Sequence, residues 1–486
     1  MTGLPDGVVL RLRADVRASD GGRALVGGAP TRVLYLKDAA RGLVVNRRLD
    51  VRDAPSRALA DILLDAGLAD PVLETLPTPD VGTADVTFVI PAYGRADGLD
   101  RLLASVPPGH PLIVVDDASP DPEPIAATAA RHGAQLVVLD RNLGPAGARN
   151  SGLEQVTTPF VVFVDTDVVI DDGVVPALLR HFADERMAVV APRVLGLRDG
   201  EGANWIERYE AARSSLDLGP TGAAVKPRAP VSWVPATFLL ARVEALGAGF
   251  TPGMREGEDV DLVWRLVADG LRVRYEPGVV VRHEHRATTR EWLSRKVLYG
   301  SSATPLERRH GNLIAPAVFA PWSLAFVLAL LAQRKWSPWA ALAIAGWATV
   351  RIARKLTHSG HPYRDASRLT LSGVDAAVKQ TMALLVRHWW PVAVLAAFFS
   401  RRARRALLVS AVLDAALEYR RTRPRLDFGR FALARRLDDL AYGFGVWKSA
   451  FTGRSLRALL PDIVRGRRRE REEEQADPRR GLATGT

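Results

Sequence analysis

The sequence predicts an α/β protein built on a mostly parallel, doubly wound sheet. Three observations carry the expectation. Val/Ile-rich runs at 86–90, 112–115, 135–139 and 160–164 are short enough for strands and apolar enough for burial on both faces. Helical segments at about 97–105, 122–132 and 145–156 separate them, the alternation that parallel pairing requires. Carboxylates close two of the runs: Asp116 and Asp117 after one, Asp165 and Asp167 after another. Open α/β sheets bind ligands at such strand ends.

The chain has 486 residues, enough for more than one domain. Residues 1–76 read as a small α+β domain. Val8–Leu12, Arg32–Leu36 and Gly42–Asn46 are strand candidates. Pro55 opens a helix running to Leu64, since proline suits a helix's first turn. Leu76 to Thr83 holds two prolines and a glycine without periodicity, so 77–84 is expected to be a linker. The α/β domain is expected over 85–300.

Hydrophobic residues at 48% and charged residues at 25% are proportions of a folded chain rather than a disordered one. The absence of cysteine excludes a disulfide scaffold, a thiol nucleophile and a Cys-ligated metal, and suits the cytosol. Met1–Leu12 carries Asp6 and Arg11 and no long apolar run, so no secretory signal is expected. The net charge of +12 is unevenly placed: residues 301–486 hold 32 Lys+Arg against 14 Asp+Glu, and residues 1–300 hold 34 against 40. No nucleic-acid-binding motif accompanies the basic excess, so a nucleic-acid partner is not expected.

A membrane accounts for that excess better. Residues 311–333 are 23 in a row without a formal charge, long enough to span a bilayer, although Pro316 and Pro321 interrupt them. The 15 uncharged residues of 336–350 suit an interfacial or re-entrant segment, and 389–400 is a third apolar run. Arg401, Arg402, Arg404 and Arg405 follow, then Arg420, Arg421, Arg423 and Arg425. Basic clusters beside apolar segments fit a cytoplasmic face and anionic headgroups. The expectation is a helical, membrane-associated region over 301–464, at the cytoplasmic side of the cell membrane, and a charged flexible tail over 465–486. Core helices of a large soluble domain are the alternative for these runs.

Five motifs carry chemistry. Pro91-Ala92-Tyr93-Gly94-Arg95 closes the first strand, and Asp116-Asp117-Ala118-Ser119 the second. Asn142-Leu143-Gly144 enters a helix holding Arg149, Asp165-Thr166-Asp167 closes the fourth strand, and Glu258-Asp259 comes much later. Each alone is weak, because most D-x-D triplets are solvated turns. Together they match sugar transfer from a nucleotide-sugar. A hard divalent cation held by carboxylates neutralises the diphosphate charge that grows as the donor bond breaks. Carboxylates at the neighbouring strand end accept hydrogen bonds from base and ribose, Arg149 reaches phosphate or base, and a later carboxylate takes the proton of the attacking hydroxyl.

In this order the set resembles the inverting family 2 glycosyltransferases with the GT-A fold, over roughly residues 84–300. The resemblance implies that Pro91, Tyr93, Asp117 and Arg149 surround the nucleoside, with Arg95, Asp116, Asn142, Gly144 and Asp165 also on the donor side. It implies that Asp165 and Asp167 hold a divalent metal (Mg or Mn) and the diphosphate. Asp259, beside Glu258, would be the general base. His283, in Val281-Arg282-His283-Glu284-His285-Arg286, would complete the metal shell, with His285 a weaker candidate. Two departures stand out. The asparagine often found after the first-strand aromatic is Gly94, and the Q-x-x-R-W motif of processive synthases is absent, Arg290-Glu291-Trp292 not matching it.

A longer likeness is to the mycofactocin-system glycosyltransferases. It is carried by residues 209–219, by Val231-Ser232-Trp233-Val234-Pro235-Ala236-Thr237, by 257–266, by Arg274-Tyr275-Glu276-Pro277 and by His283–Arg286. It implies glucosylation of premycofactocin or its peptide precursor, from UDP-glucose, building a β-1,4-linked glucan. Residues 8–76 resemble a PqqD-type peptide-binding domain, a small winged-helix module. Competing readings are a nucleotidyltransferase, a non-catalytic peptide-binding scaffold and a cell-wall or lipid-directed rhamnosyl- or galactofuranosyltransferase.

Overall fold

The structure, a computed structural model, describes residues 3–28, 31–197, 202–356 and 359–464. The expected tail over 465–486 lies outside the described residues. The chain divides into two compact units, Met1–Arg286 and Ala287–Thr486.

In the first unit the Val/Ile runs form one half of a nine-stranded sheet. Gln135–Val138, Leu112–Asp116, Val86–Ala92 and Phe160–Val164 lie side by side and parallel. The order continues through Phe238–Arg242, Met187–Gly196, Arg272–His283 and Val168–Ile170, with Ala223–Ala224 also paired to Arg272–His283. Phe238–Arg242 is antiparallel to both neighbours, so the sheet is mixed rather than mostly parallel. The sequence reading covered only the helix-separated half. The rest is joined by segments in which the helices Val174–Leu179, Trp205–Arg213 and Glu258–Ala268 alternate with irregular stretches, which blurs the period.

Helices cover the parallel half. Ala96–Ser105 buries Leu99, Leu102 and Leu103, and Glu123–Arg131 buries Ile125 and Ala129. They pack on Phe88, Ile90, Val114 and Val162, all fully buried. Each such side chain contributes about 1.5–3 kcal/mol relative to exposure. Gly144–Leu153 approaches the sheet closely: a Cβ on Gly152 would strike the Val89 side chain.

The N-terminal part is α+β. Val9–Leu12 lies between Arg48–Asp50 and Ala69–Pro71 in an antiparallel sheet, and Arg17–Ser19, Ala24–Gly27 and Arg32–Tyr35 form a second. The expected strand over 42–46 is reduced to Val44–Val45, because Asp38–Leu43 is helical. The helix at Pro55 spans Ala54–Asp65, capped by Asp53, whose Oδ1 accepts from Ser56 N at 2.9 Å. Arg272 on the large sheet fixes this helix, donating to Asp61 at 2.8 Å and to Asp184 at 2.6 Å.

The second unit is helical. The helix Thr289–Ser301, expected with the α/β domain, belongs here. Gly300 and Gly445 let it approach Phe428–Thr452 so closely that a Cβ on either would meet backbone of the other helix. The uncharged 311–333 run is not one helix. Pro316 and Pro321 break it into a short turn, the strand Val318–Phe319 and the helix Pro321–Leu331. Eleven residues rise only about 16 Å. Among the described residues one helix, Pro362–His388, is long and apolar enough by composition to cross a membrane.

Candidate active site

The sequence-predicted carboxylates lie in the first unit, Asp116, Asp117, Asp165 and Asp167 at strand ends and Glu258 and Asp259 at a helix start. Asp116 is buried, and its Oδ1 accepts from Ser119 N at 3.0 Å and from the Ser119 hydroxyl. Ser119 Oγ in turn accepts from Gly94 N at 2.8 Å. Asp116 therefore ties two strand-end loops together. Gly94 has φ +62°, a left-handed conformation that glycine and asparagine both tolerate, which explains how one stands where the other is often found.

Asp117 is also spent inside the protein. Its two oxygens accept from Leu143 N at 2.6 Å and Gly144 N at 2.9 Å, while Asn142 Nδ2 donates to its carbonyl at 3.0 Å. Burial pushes its carboxyl up against the pull of those two N–H groups. Asp117 thus fixes the Asn142–Gly144 turn, over which Arg255 lies, donating to Asn142 Oδ1 at 3.2 Å. Tyr93 is exposed and Pro91 half-buried.

Arg149 is not a free donor to a base. It is buried, with Nη2 donating to Asp165 Oδ1 at 2.7 Å and Nη1 to Glu258 Oε1 at 2.9 Å. Its guanidinium stands 5.4 Å over the Phe250 ring. Asp165 N donates to Thr237 O at 3.2 Å, which joins the D-x-D to the loop before the antiparallel strand Phe238–Arg242.

Asp167 has a different environment. It is buried, with Oδ2 accepting from Arg95 Nη1 at 2.8 Å and Arg286 Nη2 at 3.1 Å. His283 Nε2 stands 3.3 Å from Oδ1. Pairing of Val168 with His283, and Glu284 N donating to Asp167 O at 2.9 Å, bring the two together from distant segments. Burial pushes the Asp167 carboxyl up, but His283, Arg286 and Arg95 outweigh it and hold the group well below the usual carboxylate range. Asp167 Oδ1 is buried without a hydrogen bond, which fits a cation ligand. Asp165 Oδ1 instead accepts from Arg149. Among the described residues no three Asp, Glu or His side chains converge as a ready ligand set.

Glu258 and Asp259 open the helix Glu258–Ala268 after Gly257. Asp259 is half-buried, and its oxygens accept from Val260 N at 2.8 Å and Ala236 N at 3.4 Å. Burial and the neighbouring Glu258 charge push its carboxyl up to about 7, against those N–H groups and Arg149. Asp261 is fully buried, accepting from Thr251 Oγ1 and Arg265, so it anchors the helix.

The profile of glycosyl transferase family 2 matches residues 87–244. The chain is 41% identical over 472 residues to the pre-mycofactocin glycosyltransferase of Mycobacterium tuberculosis, covering 95% of this chain and 99% of that one. The chain belongs to the pre-mycofactocin glycosyltransferase family. Its α/β domain is therefore a family 2 catalytic domain of GT-A type, and the match extends through the N-terminal and helical parts. The succinoglycan biosynthesis protein ExoO of Rhizobium meliloti is 30% identical over 209 residues, 40% of this chain and 59% of that one. Among solved structures, the mannosyltransferase PcManGT from Pyrobaculum calidifontis in complex with GDP-Man and Mn2+ is 19% identical, with a TM-score of 0.35, over 61% of this chain and 87% of that one.

Sequence reasoning gave no role to Arg286 or Arg255. Arg286 stood in view in His283–Arg286, but the strand pairing that aims it at Asp167 has no sequence signal. Arg255 precedes Glu258-Asp259 by a few positions, and nothing in the sequence distinguishes it from an ordinary loop arginine.

Proposed function

We propose that this enzyme transfers glucose, with inversion, from UDP-glucose to premycofactocin or its peptide precursor, and builds a β-1,4-linked chain. The reading rests on one observation above all. Asp259, its carboxyl pushed up by burial and by the Glu258 charge, stands beside a buried Arg149 bridge that ties Glu258 to the strand-end Asp165. A carboxylate poised there suits proton removal from a sugar hydroxyl. As the acceptor oxygen attacks the anomeric carbon, the C1–O bond to the diphosphate breaks, and the hydroxyl proton goes to Asp259. Attack opposite the leaving group inverts the centre.

Asp167 and His283 are the residues that would hold a divalent cation. Such a cation, when bound, offsets charge on the departing diphosphate. Arg95 and Arg286, already on Asp167, would be available to donor phosphates. Tyr93 and the Asp117-braced turn suit the nucleoside. Residues 1–76 fit a PqqD-like module that recruits the acceptor, 77–84 a linker, and the helical unit an attachment to the cytoplasmic side of the cell membrane, where nucleotide-sugars are made.

The test is direct. Purified protein is incubated with premycofactocin and a panel of nucleotide-sugars, and products are read by mass. Hexose increments with UDP release, specific to UDP-glucose, are expected. Transfer of rhamnose or galactofuranose to a lipid or wall acceptor, with premycofactocin untouched, overturns the substrate assignment.

A further inference from the structure

Two junctions of the helical unit meet at one place. The turn Ala332–Trp336 joins the helices Pro321–Leu331 and Ser337–Ala353, and Ser400 joins Trp390–Phe399 to Arg401–Thr422. Gln333 Nε2 donates to Arg402 O at 2.8 Å, so the two junctions lie side by side. The side chains there are of two kinds. Trp339, Phe398 and Phe399 are 73%, 77% and 85% exposed, and Trp336, in the turn before Trp339, is exposed as well. Arg334 and Lys335 sit in one junction, and Arg401, Arg402, Arg404 and Arg405 open the helix after the other.

Water solvates a basic cluster well, but not two adjacent phenylalanines and two tryptophans. Bilayer interfaces satisfy both: aromatic rings settle at headgroup depth, and each nearby Lys or Arg gains from anionic lipid. One apolar helix at each junction is also too short to cross. Pro321–Leu331 and Trp390–Phe399 have 11 and 10 residues, rising about 15 Å against a hydrocarbon core of about 30 Å. The longer Pro362–His388 carries the Asp375–Lys379 pair at 2.8 Å within it and packs Gly373 against Trp322.

We propose that this basic-aromatic tip docks into the headgroup layer of one anionic leaflet, so that the unit enters a single leaflet and does not span. The proposal deepens the membrane attachment proposed above and rests on it. Lipid is the occupant rather than a protein because the basic groups flank an apolar wedge whose most exposed residues are consecutive at one junction.

The cysteine-free chain allows a clean test. Full-length Phe398→Cys carries an environment-sensitive fluorophore and is mixed with vesicles of phosphatidylcholine alone or with added phosphatidylglycerol. The label should shift to the blue only with phosphatidylglycerol, and bromine near the headgroup end of the acyl chain should quench it more than bromine near the chain end. Changing Arg401, Arg402, Arg404 and Arg405 to Gln should weaken binding at least tenfold, with turnover on soluble acceptor retained. Equal binding to both vesicles with deep quenching leaves the membrane attachment standing and overturns the one-leaflet tip. No binding to either, or a concentration-dependent dimer in place of binding, overturns both.

Discussion

Arg149 Nη1 donates to Glu258 Oε1 at 2.9 Å, linking residues 109 positions apart in the sequence. The other end of the same guanidinium holds Asp165. One buried cation thus sets the spacing between the donor-side strand end and the acceptor-side helix.

Breaking that link should cost both stability and activity. Removing one partner of a buried ion pair typically costs about 3–5 kcal/mol, because the other is left uncompensated. Arg149→Gln is expected to lower Tm by about 5–10 °C in a calorimetric scan. Arg149→Lys keeps the charge but lacks the planar fork that serves two carboxylates at once, so it should recover little turnover. Wild-type turnover and melting in Arg149→Lys would falsify the bridging role.

Asp167 is expected to be a stabilising group as well as a functional one. Its folded carboxyl is held below its unfolded value by His283, Arg286 and Arg95. The stability it contributes is therefore fully present above the unfolded value near 3.8 and lost as pH falls below that. Asp167→Asn should melt below wild type at pH 7, with the gap closing under about pH 4. Thermal scans across pH read this without any assay of transfer. A gap that widens on acidification contradicts the ion network.

A divalent cation at Asp167 and His283 should be visible in the absence of sugar transfer. Titrating Mn²⁺ with UDP should raise the Tm of wild type, since a ligand bound only by the folded state stabilises it. Asp167→Asn and His283→Ala should lose most of that rise. Full turnover after exhaustive EDTA treatment would remove the metal from the reading.

How far the sequence reached depends on how local each signal was. Phe88, Ile90, Val114 and Val162 announce their strands because burial on both faces demands continuous apolar runs. The carboxylates after them were legible for the same reason. The roles of Asp116, Asp117 and Arg149 were not, because their hydrogen bonds run to Ser119, to Leu143 and Gly144, and to Glu258. An acid beside a site and an acid bracing its wall look alike in sequence. The 311–333 run has the length to span but not the continuity, because Pro316 and Pro321, already visible as interruptions in the sequence, divide it into a turn, a strand and a short helix. In the N-terminal part, Arg17–Ser19 and Arg48–Asp50 are three residues each and largely polar, too short to show alternation.

Asp259 should give the reaction its pH dependence. A base works only when deprotonated, and burial together with the Glu258 charge puts its carboxyl at about 7. Turnover at low substrate should therefore rise about tenfold per pH unit below that value and level off above it. The same shift has a stability consequence of the opposite sign to that of Asp167. Between 3.8 and about 7 the folded state binds more protons at this site than the unfolded chain, so the site's contribution to stability falls as pH rises through that window. Asp259→Asn removes the penalty while keeping the shape. It should melt above wild type at pH 8 and level with it near pH 4, retain nucleotide-sugar binding by calorimetry, and lose transfer by roughly 10²–10⁴-fold. Helix capping alone makes the reverse prediction: asparagine caps nearly as well as aspartate, so transfer would survive. Transfer at a near wild-type rate, a flat pH profile across 6–8, or a product that keeps the donor's anomeric configuration by NMR would each reassign the base.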